Sequence, residues 1–276
     1  MKIIIFGYGN LGKVLAEHAI RNNFNTLIVS RKKVNHDHLA FLPIEKFNSV
    51  VENFSNYCLI STIPPNEQQE DFVLCNINLK ALSKAKKVIY VSSTSVYQEG
   101  EVDESTKVVP KIKRGKIRLK LENHWRKVSK SSIIIRPGGI YSNKNNLITN
   151  FLNGDHKVIF KKNHFTNRIH LEDLVGIIFQ TIESNISTGI INAVDECFVD
   201  THKLLEQISK KFNLPKPIKI DYKSISSSKK SFYEVSKKVK SIILKEKLNY
   251  SLKYPDFKIF ATDITKKYIK SLKNNE

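Results

Sequence analysis

Apolar and polar positions along the first half of the chain follow one recurring order. A short apolar run ends in a turn, and a stretch with apolar residues on one helical face follows. Residues 3–6 are apolar, and Val14, Leu15, His18 and Ala19 then recur at helical spacing, which predicts a first helix over residues 11–22. Residues 25–30 predict a second strand, residues 40–42 a short third strand and residues 47–54 an amphipathic helix. Residues 57–63 form a buried-strand pattern that Pro64 and Pro65 stop. A helix over residues 67–86, a strand over 87–92, an acidic loop over 99–104, a helix over 113–128 and a strand over 132–136 complete the alternation. This order of strands and helices predicts an α/β fold with a doubly wound parallel sheet and right-handed crossovers.

Beyond residue 142 the rhythm changes. A short helix over residues 147–152, a strand over 158–160, a helix over 171–183 and a strand over 189–194 lead into a lysine-rich, mostly helical remainder interrupted by Pro215, Pro217 and Pro255. The expected division is a sheet domain over residues 1–145 and a smaller substrate lobe over 146–276, with residues 188–195 returning to the main sheet.

The first turn carries the candidate chemistry. Gly7, Tyr8, Gly9, Asn10, Leu11 and Gly12 spell Gly-x-Gly-x-x-Gly directly after a strand and at the start of a helix. Gly7 permits the tight turn, Gly9 lets phosphate oxygens approach the backbone, and Gly12 lets the helix pack closely. The layout is that of a Rossmann dinucleotide site, with the pyrophosphate on the helix N-terminus. After the second strand, Ser30, Arg31, Lys32 and Lys33 stand where an NAD site would place a carboxylate for the ribose 2′-hydroxyl. A hydroxyl and a guanidinium suit a 2′-phosphate, so NADP is expected over NAD. Ile63, Pro64 and Pro65 end a strand at the edge where open parallel sheets bind ligands, and are expected to wall the cofactor.

Composition narrows the partners. The net charge of +20 invites nucleic acid, yet only seven of the 46 Lys and Arg residues are arginine. Arginine is the preferred reader of phosphate and base edges, so the lysines describe a solvated surface that favours anionic small molecules. No specific nucleic-acid partner is expected. No apolar run reaches the roughly 20 residues of a membrane helix. The N-terminal strand leads straight into the glycine turn, which argues against a cleavable signal and makes the cytoplasm the expected location. Cys58, Cys75 and Cys197 are odd in number and lack a CxxC pair, so neither a disulfide framework nor a metal site is expected.

Ser92, Ser93, Thr94, Ser95, Val96 and Tyr97 follow the strand that faces the expected nicotinamide. Hydroxyls there can bond a substrate carbonyl or alcohol. With this stretch in view, the chain resembles the extended, atypical branch of the short-chain dehydrogenase/reductase superfamily, with its NAD-dependent epimerases and dehydratases. The resemblance is carried by the glycine turn, Ser61-Thr62-Ile63-Pro64-Pro65, Ser92 to Tyr97, Arg136-Pro137-Gly138-Gly139-Ile140-Tyr141, Arg168-Ile169-His170-Leu171-Glu172-Asp173, Asn192-Ala193-Val194-Asp195 and Tyr254-Pro255. It implies that Ser92 touches the cofactor and that Ser93 stands in the place of the family's catalytic serine. It also implies that Arg168 meets a substrate phosphate, that His170 and Asp173 brace a helix, and that the protein forms a homodimer.

The resemblance breaks at the acid/base pair. The family uses Tyr-x-x-x-Lys on the next helix, and the spacing places that pair near Arg118 and Glu122. No tyrosine lies between Tyr97 and Tyr141. Arg118 does not titrate near neutral pH. Arg118 and Glu122 stand four apart, which fits either a surface ion pair or a pair standing in for the catalytic one. Tyr97 and Tyr141 are the candidate substitute phenols, with packing as the other role open to them. Two functions follow: an NADP-binding oxidoreductase or epimerase acting on a carbonyl or sugar-like, anionic substrate, or a redox-silent NADP-binding regulator.

Overall fold

The computed structural model describes residues 1–274. The chain runs through β1 (Lys2–Phe6), α1 (Asn10–Arg21), β2 (Asn25–Ser30), β3 (Ala40–Pro43), α2 (Phe47–Val50), β4 (Tyr57–Ser61), α3 (Phe72–Asn76), α4 (Leu79–Ser83), β5 (Lys87–Val91) and β6 (Gly100–Val102). It continues through α5 (Lys113–Val128), β7 (Ser132–Pro137), β8 (Gly139–Tyr141), α6 (Leu147–Leu152), β9 (Lys157–Phe160), β10 (Arg168–His170), α7 (Leu171–Glu183) and β11 (Gly189–Ala193). Helix α8 (Thr201–Phe212), β12 (Ile218–Asp221), α9 (Ser227–Lys230), β13 (Lys237–Val239), α10 (Ile243–Glu246) and α11 (Phe257–Lys273) complete it.

Seven strands form one parallel sheet in the order β3-β2-β1-β4-β5-β7-β11. Successive side chains on a strand point to opposite faces. Ile3, Ile5, Ile60, Ile89 and Ile133 therefore meet α1 and α7 on one face, while Ile4, Phe6, Leu59, Tyr90 and Ile134 meet α2 to α5 on the other. With helices on both faces, the strands have no polar side, which is why they read as continuous apolar runs. On the second face the Trp125 ring stacks on Tyr90 at 5.3 Å, and its indole N–H donates to Asp71 at 2.7 Å. Truncating so large a buried ring costs about 3–5 kcal/mol.

Strand β11 pairs with β7, so residues 189–193 belong to the main sheet. A separate apolar cluster joins α6, β9, α8 and α11 around Phe151, Leu205 and Phe257. Two short parallel pairs, β12 with β9 and β13 with β6, thread strands through the part of the chain that the pattern predicts as mostly helical. The acidic loop over 99–104 contains β6 for the same reason.

Two helices differ from expectation. The stretch 67–86 holds α3 and α4 rather than one helix. Asp71 caps α3 through the N–H groups of Val73 and Leu74, and Asn78 caps α4 through Lys80. Asn48 bonds across to the carbonyl of Asn76 and the N–H of Asn78, so side chains satisfy the break between them. The stretch 47–54 is one short α-helix flanked by 3-10 turns at 44–46 and 51–53.

Among the described residues no helix is long and apolar enough to cross a membrane.

Candidate functional site

The strand order reverses between β1 and β4, since the chain leaves β1 outward through β2 and β3 and returns to β4. Ligands of open parallel sheets bind at such a switch point, outside the C-terminal strand ends. The glycine turn sits there. Gly7 has φ +97°, a conformation that favours glycine, and a Cβ on it would lie 2.8 Å from the Thr62 hydroxyl. A Cβ on Gly12 would lie 2.1 Å from the Gly7 carbonyl oxygen, so helix α1 presses on the turn itself. Gly9 faces open space, with no atom within 4 Å of a Cβ there. No side chain caps α1, and its first turn holds no carboxylate. The turn thus offers free space beside a helix N-terminus, where backbone N–H groups and the helix dipole favour an anion. These features fit a dinucleotide pyrophosphate.

Arg31 follows β2 on the same edge. It is exposed, and its guanidinium lies 5.3 Å over the ring of Phe72. Ser30 is buried, and its hydroxyl donates to the carbonyl of Lys32 at 2.6 Å, which fixes the shape of the Arg31 turn. Ile63, Pro64 and Pro65 leave β4 beside the glycine turn, and Thr62 ties the two together by donating its backbone N–H to Phe6 at 3.0 Å.

At the end of β5 a buried network replaces an open hydroxyl cluster. The Ser92 hydroxyl donates to Glu122 at 2.6 Å. Arg136 of β7 donates to the same carboxylate through Nε at 3.0 Å and Nη2 at 2.6 Å. Glu122 and Arg136 are each 1% exposed. Burial disfavours the Arg136 charge, and the Glu122 carboxylate more than offsets it, so the guanidinium stays ionised. The guanidinium also lies 4.8 Å over the Tyr97 ring.

Several sequence expectations change here. Glu122 is neither a surface partner of Arg118 nor a group in the cleft; it is sealed between α5 and β7. Ser92 gives its hydroxyl to Glu122 rather than to the cleft. Tyr97 donates its hydroxyl to Asn192 at 2.9 Å and is 1% exposed. Burial pushes its pKa up, and its ring is held in the packed interior. Tyr141 lies in the lobe core, edge-on to Phe257 and Phe260 at 4.8 Å each, and burial drives its pKa far up.

Ser93 remains half-buried at the strand end, where its Oγ accepts from the Ser95 N–H at 3.1 Å. Arg118 reaches from α5 to β5, where it donates to the Tyr90 hydroxyl at 2.9 Å. Burial pushes the Tyr90 pKa up to about 12. Arg168 stacks over Phe257 at 4.5 Å and donates to the Thr201 hydroxyl at 2.8 Å. Its Nε has no hydrogen-bond partner among the described residues. The backbone N–H of Arg168 donates to Asp195 at 3.2 Å. His170 caps α7 by accepting from Glu172, and Asp173 accepts from the backbone N–H groups of Lys253 and Tyr254, so both brace the fold.

Sequence reasoning missed Arg114, on the first turn of α5, and Lys237 of β13. A cavity of 760 Å³ lies elsewhere, between the end of β11 and residues 239–255, lined by Asp195, Lys240, Lys245 and Tyr250. It touches neither the glycine turn nor Ser93, so its size alone does not make it the site.

No family model matches the chain, and no curated protein matches it in sequence. Solved structures do match in fold. A functionally unknown conserved protein from Silicibacter pomeroyi superposes with a TM-score of 0.82 at 22% identity, over 96% of this chain and 98% of that one. The dTDP-glucose 4,6-dehydratase of Bacillus anthracis, solved with NAD, gives 0.73 at 13% identity over 98% and 97%. A human epimerase family protein solved with NADPH gives 0.71 at 15% identity over 96% and 99%.

Proposed function

We propose that this protein, which has the fold of the NAD-dependent epimerase/dehydratase proteins, binds NADP across the glycine turn and holds a small anionic carbonyl or alcohol compound beside the nicotinamide. The observation that carries the proposal is the turn itself, whose shape depends on missing Cβ atoms at Gly7 and Gly12 and leaves a helix end free. Backbone N–H groups of residues 9–12 hold the pyrophosphate, and Arg31 meets the 2′-phosphate with Phe72 beneath it. Solved structures of this fold carry NAD or NADPH, which supports a dinucleotide and leaves the choice between them to Arg31.

Bound NADP supplies hydride transfer at the nicotinamide ring. The chain's own residues do the rest. Ser93 donates a hydrogen bond to the reacting oxygen, and the cations of α5 stabilise negative charge on the substrate. A screen of small keto acids, aldehydes and sugar phosphates, followed by NADPH absorbance, tests turnover; consumption that Ser93→Ala reduces supports this function.

One observation favours a second function, a redox-silent NADP-binding regulator. Beside Ser93 the chain has arginines, which do not exchange protons near neutral pH, and a Glu122 carboxylate sealed against Arg136. NADPH binding with no turnover on any compound of the screen is the outcome that selects it.

A further inference from the structure

Helix α5 starts with the wrong charges for its own stability. Its first turn contains Lys113, Arg114 and Lys116 and no carboxylate, at the end where the helix dipole is positive. Ile112 precedes it and provides no side-chain cap. The helix end nevertheless docks closely. A Cβ on Gly115 would lie 2.4 Å from the Ser95 carbonyl oxygen, so only glycine lets this turn reach the strand end that carries Ser93.

Two further observations converge there. Arg114 is half-buried, with its guanidinium 3.9 Å over the Phe232 ring, and it has no hydrogen-bond or ion-pair partner among the described residues. Burial and Arg118, one turn along the same face, both act to lower its pKa. Lys237 is half-buried on β13 and likewise lacks a carboxylate partner among the described residues. Burial and Arg114 push its pKa down to about 8. His164, the titratable ring whose charge Lys237 also disfavours, is buried with its pKa pushed down to about 4, so it adds no charge near neutral pH. Ser95 is 9% exposed, and its buried hydroxyl has no hydrogen-bond partner among the described residues.

Unpaired cations held near each other cost stability, and among the described residues no carboxylate offsets that cost locally. An oxyanion would do so. We propose that Arg114 and Lys237, backed by Arg118, form an anion site beside Ser93 that takes the carboxylate or phosphate of a small molecule. That this molecule is the substrate rests on the NADP proposal above; the anion site itself does not. Planar Arg114 provides paired donors for an oxyanion, and Lys237 a compact charge. The site holds and orients its ligand and gives it no proton.

Calorimetric titration tests this on protein saturated with NADP, so that the glycine turn and Arg31 are already occupied. Inorganic phosphate is the probe in one arm and malonate in the other, which separates phosphate from carboxylate ligands. Saturable binding of at least one probe is expected, weakened at least tenfold by Arg114→Gln and by Lys237→Gln and unchanged by Lys210→Gln on the exposed face of α8. The two variants lie on separate elements, and thermal unfolding checks that each is folded. Absence of saturable binding to the unsubstituted protein, or equal binding by the Arg114 and Lys237 variants, overturns the anion site. Failure of NADP to bind in the preliminary titration overturns the cofactor proposal alone; the anion titration then proceeds on the free protein with the same variants.

Discussion

Arg136 and Glu122 meet in a two-pronged ion pair, with Nη2 2.6 Å from Oε2 and Nε 3.0 Å from Oε1, in a place that water does not reach. The pair joins α5 to β7, and Ser92 joins it to the end of β5. It therefore holds together the three elements that frame Ser93. Removing one partner of a buried pair leaves an uncompensated charge and costs about 3–5 kcal/mol. Glu122→Leu is expected to lower unfolding stability by about that amount in urea titrations. The double substitution Glu122→Leu/Arg136→Met recovers most of the loss. A single-variant loss under about 1 kcal/mol would show that the pair does not brace the site.

The three glycines of the first turn make different predictions. At Gly12 an added Cβ has no room beside the Gly7 carbonyl. Gly12→Ala is expected to cost about 1–3 kcal/mol of stability and to abolish NADPH binding. At Gly9 the space is open and the backbone, at φ −82°, suits any residue. Gly9→Ala should unfold like the unsubstituted protein and still bind NADPH more weakly, since the new methyl group enters the phosphate space. Thermal unfolding and nicotinamide fluorescence read the two effects separately. Greater destabilisation at Gly9 than at Gly12 would contradict this geometry.

Asp195 makes stability depend on pH. It is 2% exposed, and its Oδ2 has no hydrogen-bond partner among the described residues. Burial pushes its pKa up to about 7, against which the hydrogen bond from the Arg168 backbone acts. The folded state thus keeps a proton that the unfolded chain releases near pH 4. The stability this contributes is complete below the unfolded pKa and is lost as pH rises through about 7. Asp195→Asn removes the titration, so its stability relative to the unsubstituted protein should rise between pH 4 and pH 8, by an amount on the order of a few kcal/mol. Unfolding at several pH values measures it; a difference that stays flat with pH contradicts the assignment.

The thiols differ in access. Cys58 and Cys197 are buried and Cys75 is exposed. Burial also pushes the Cys197 pKa up to about 11. A colorimetric thiol assay should find one reactive thiol in the folded protein and three in denaturant, with Cys75→Ser abolishing the fast one. Two fast thiols in the folded state would mean that the lobe around Cys197 opens.

Most of the sheet was legible because burial on both faces leaves an unambiguous apolar run, as in residues 57–61, and because α5, α6 and α7 carry clear helical patterns. The split of 67–86 into α3 and α4 was not, since it depends on Asn48 reaching Asn78 from another element. The glycine turn could be read residue by residue: each glycine's role is local. The partners of α5 could not. Spacing alone set Arg118 and Glu122 as a pair, and the helix instead turns Glu122 inward to Arg136, a residue on the following strand. The Arg114 charge acts on Lys237 from a different element, and Lys237 stands on β13, a strand paired with β6 in a stretch the pattern reads as helical. Tyr97 read as a packed ring or as a phenol for chemistry, and its bond to Asn192 of β11 was not legible because that partner lies 95 residues along the chain.

The central claim is that NADP binds at the glycine turn and that Arg31 selects it over NAD. Parallel titrations with NADPH and NADH, followed by nicotinamide fluorescence, test it most directly. The unsubstituted protein should bind NADPH at least tenfold more tightly, and Arg31→Ala should bring NADPH down to the affinity of NADH. Equal affinity for the two cofactors, or no binding of either, would contradict the claim.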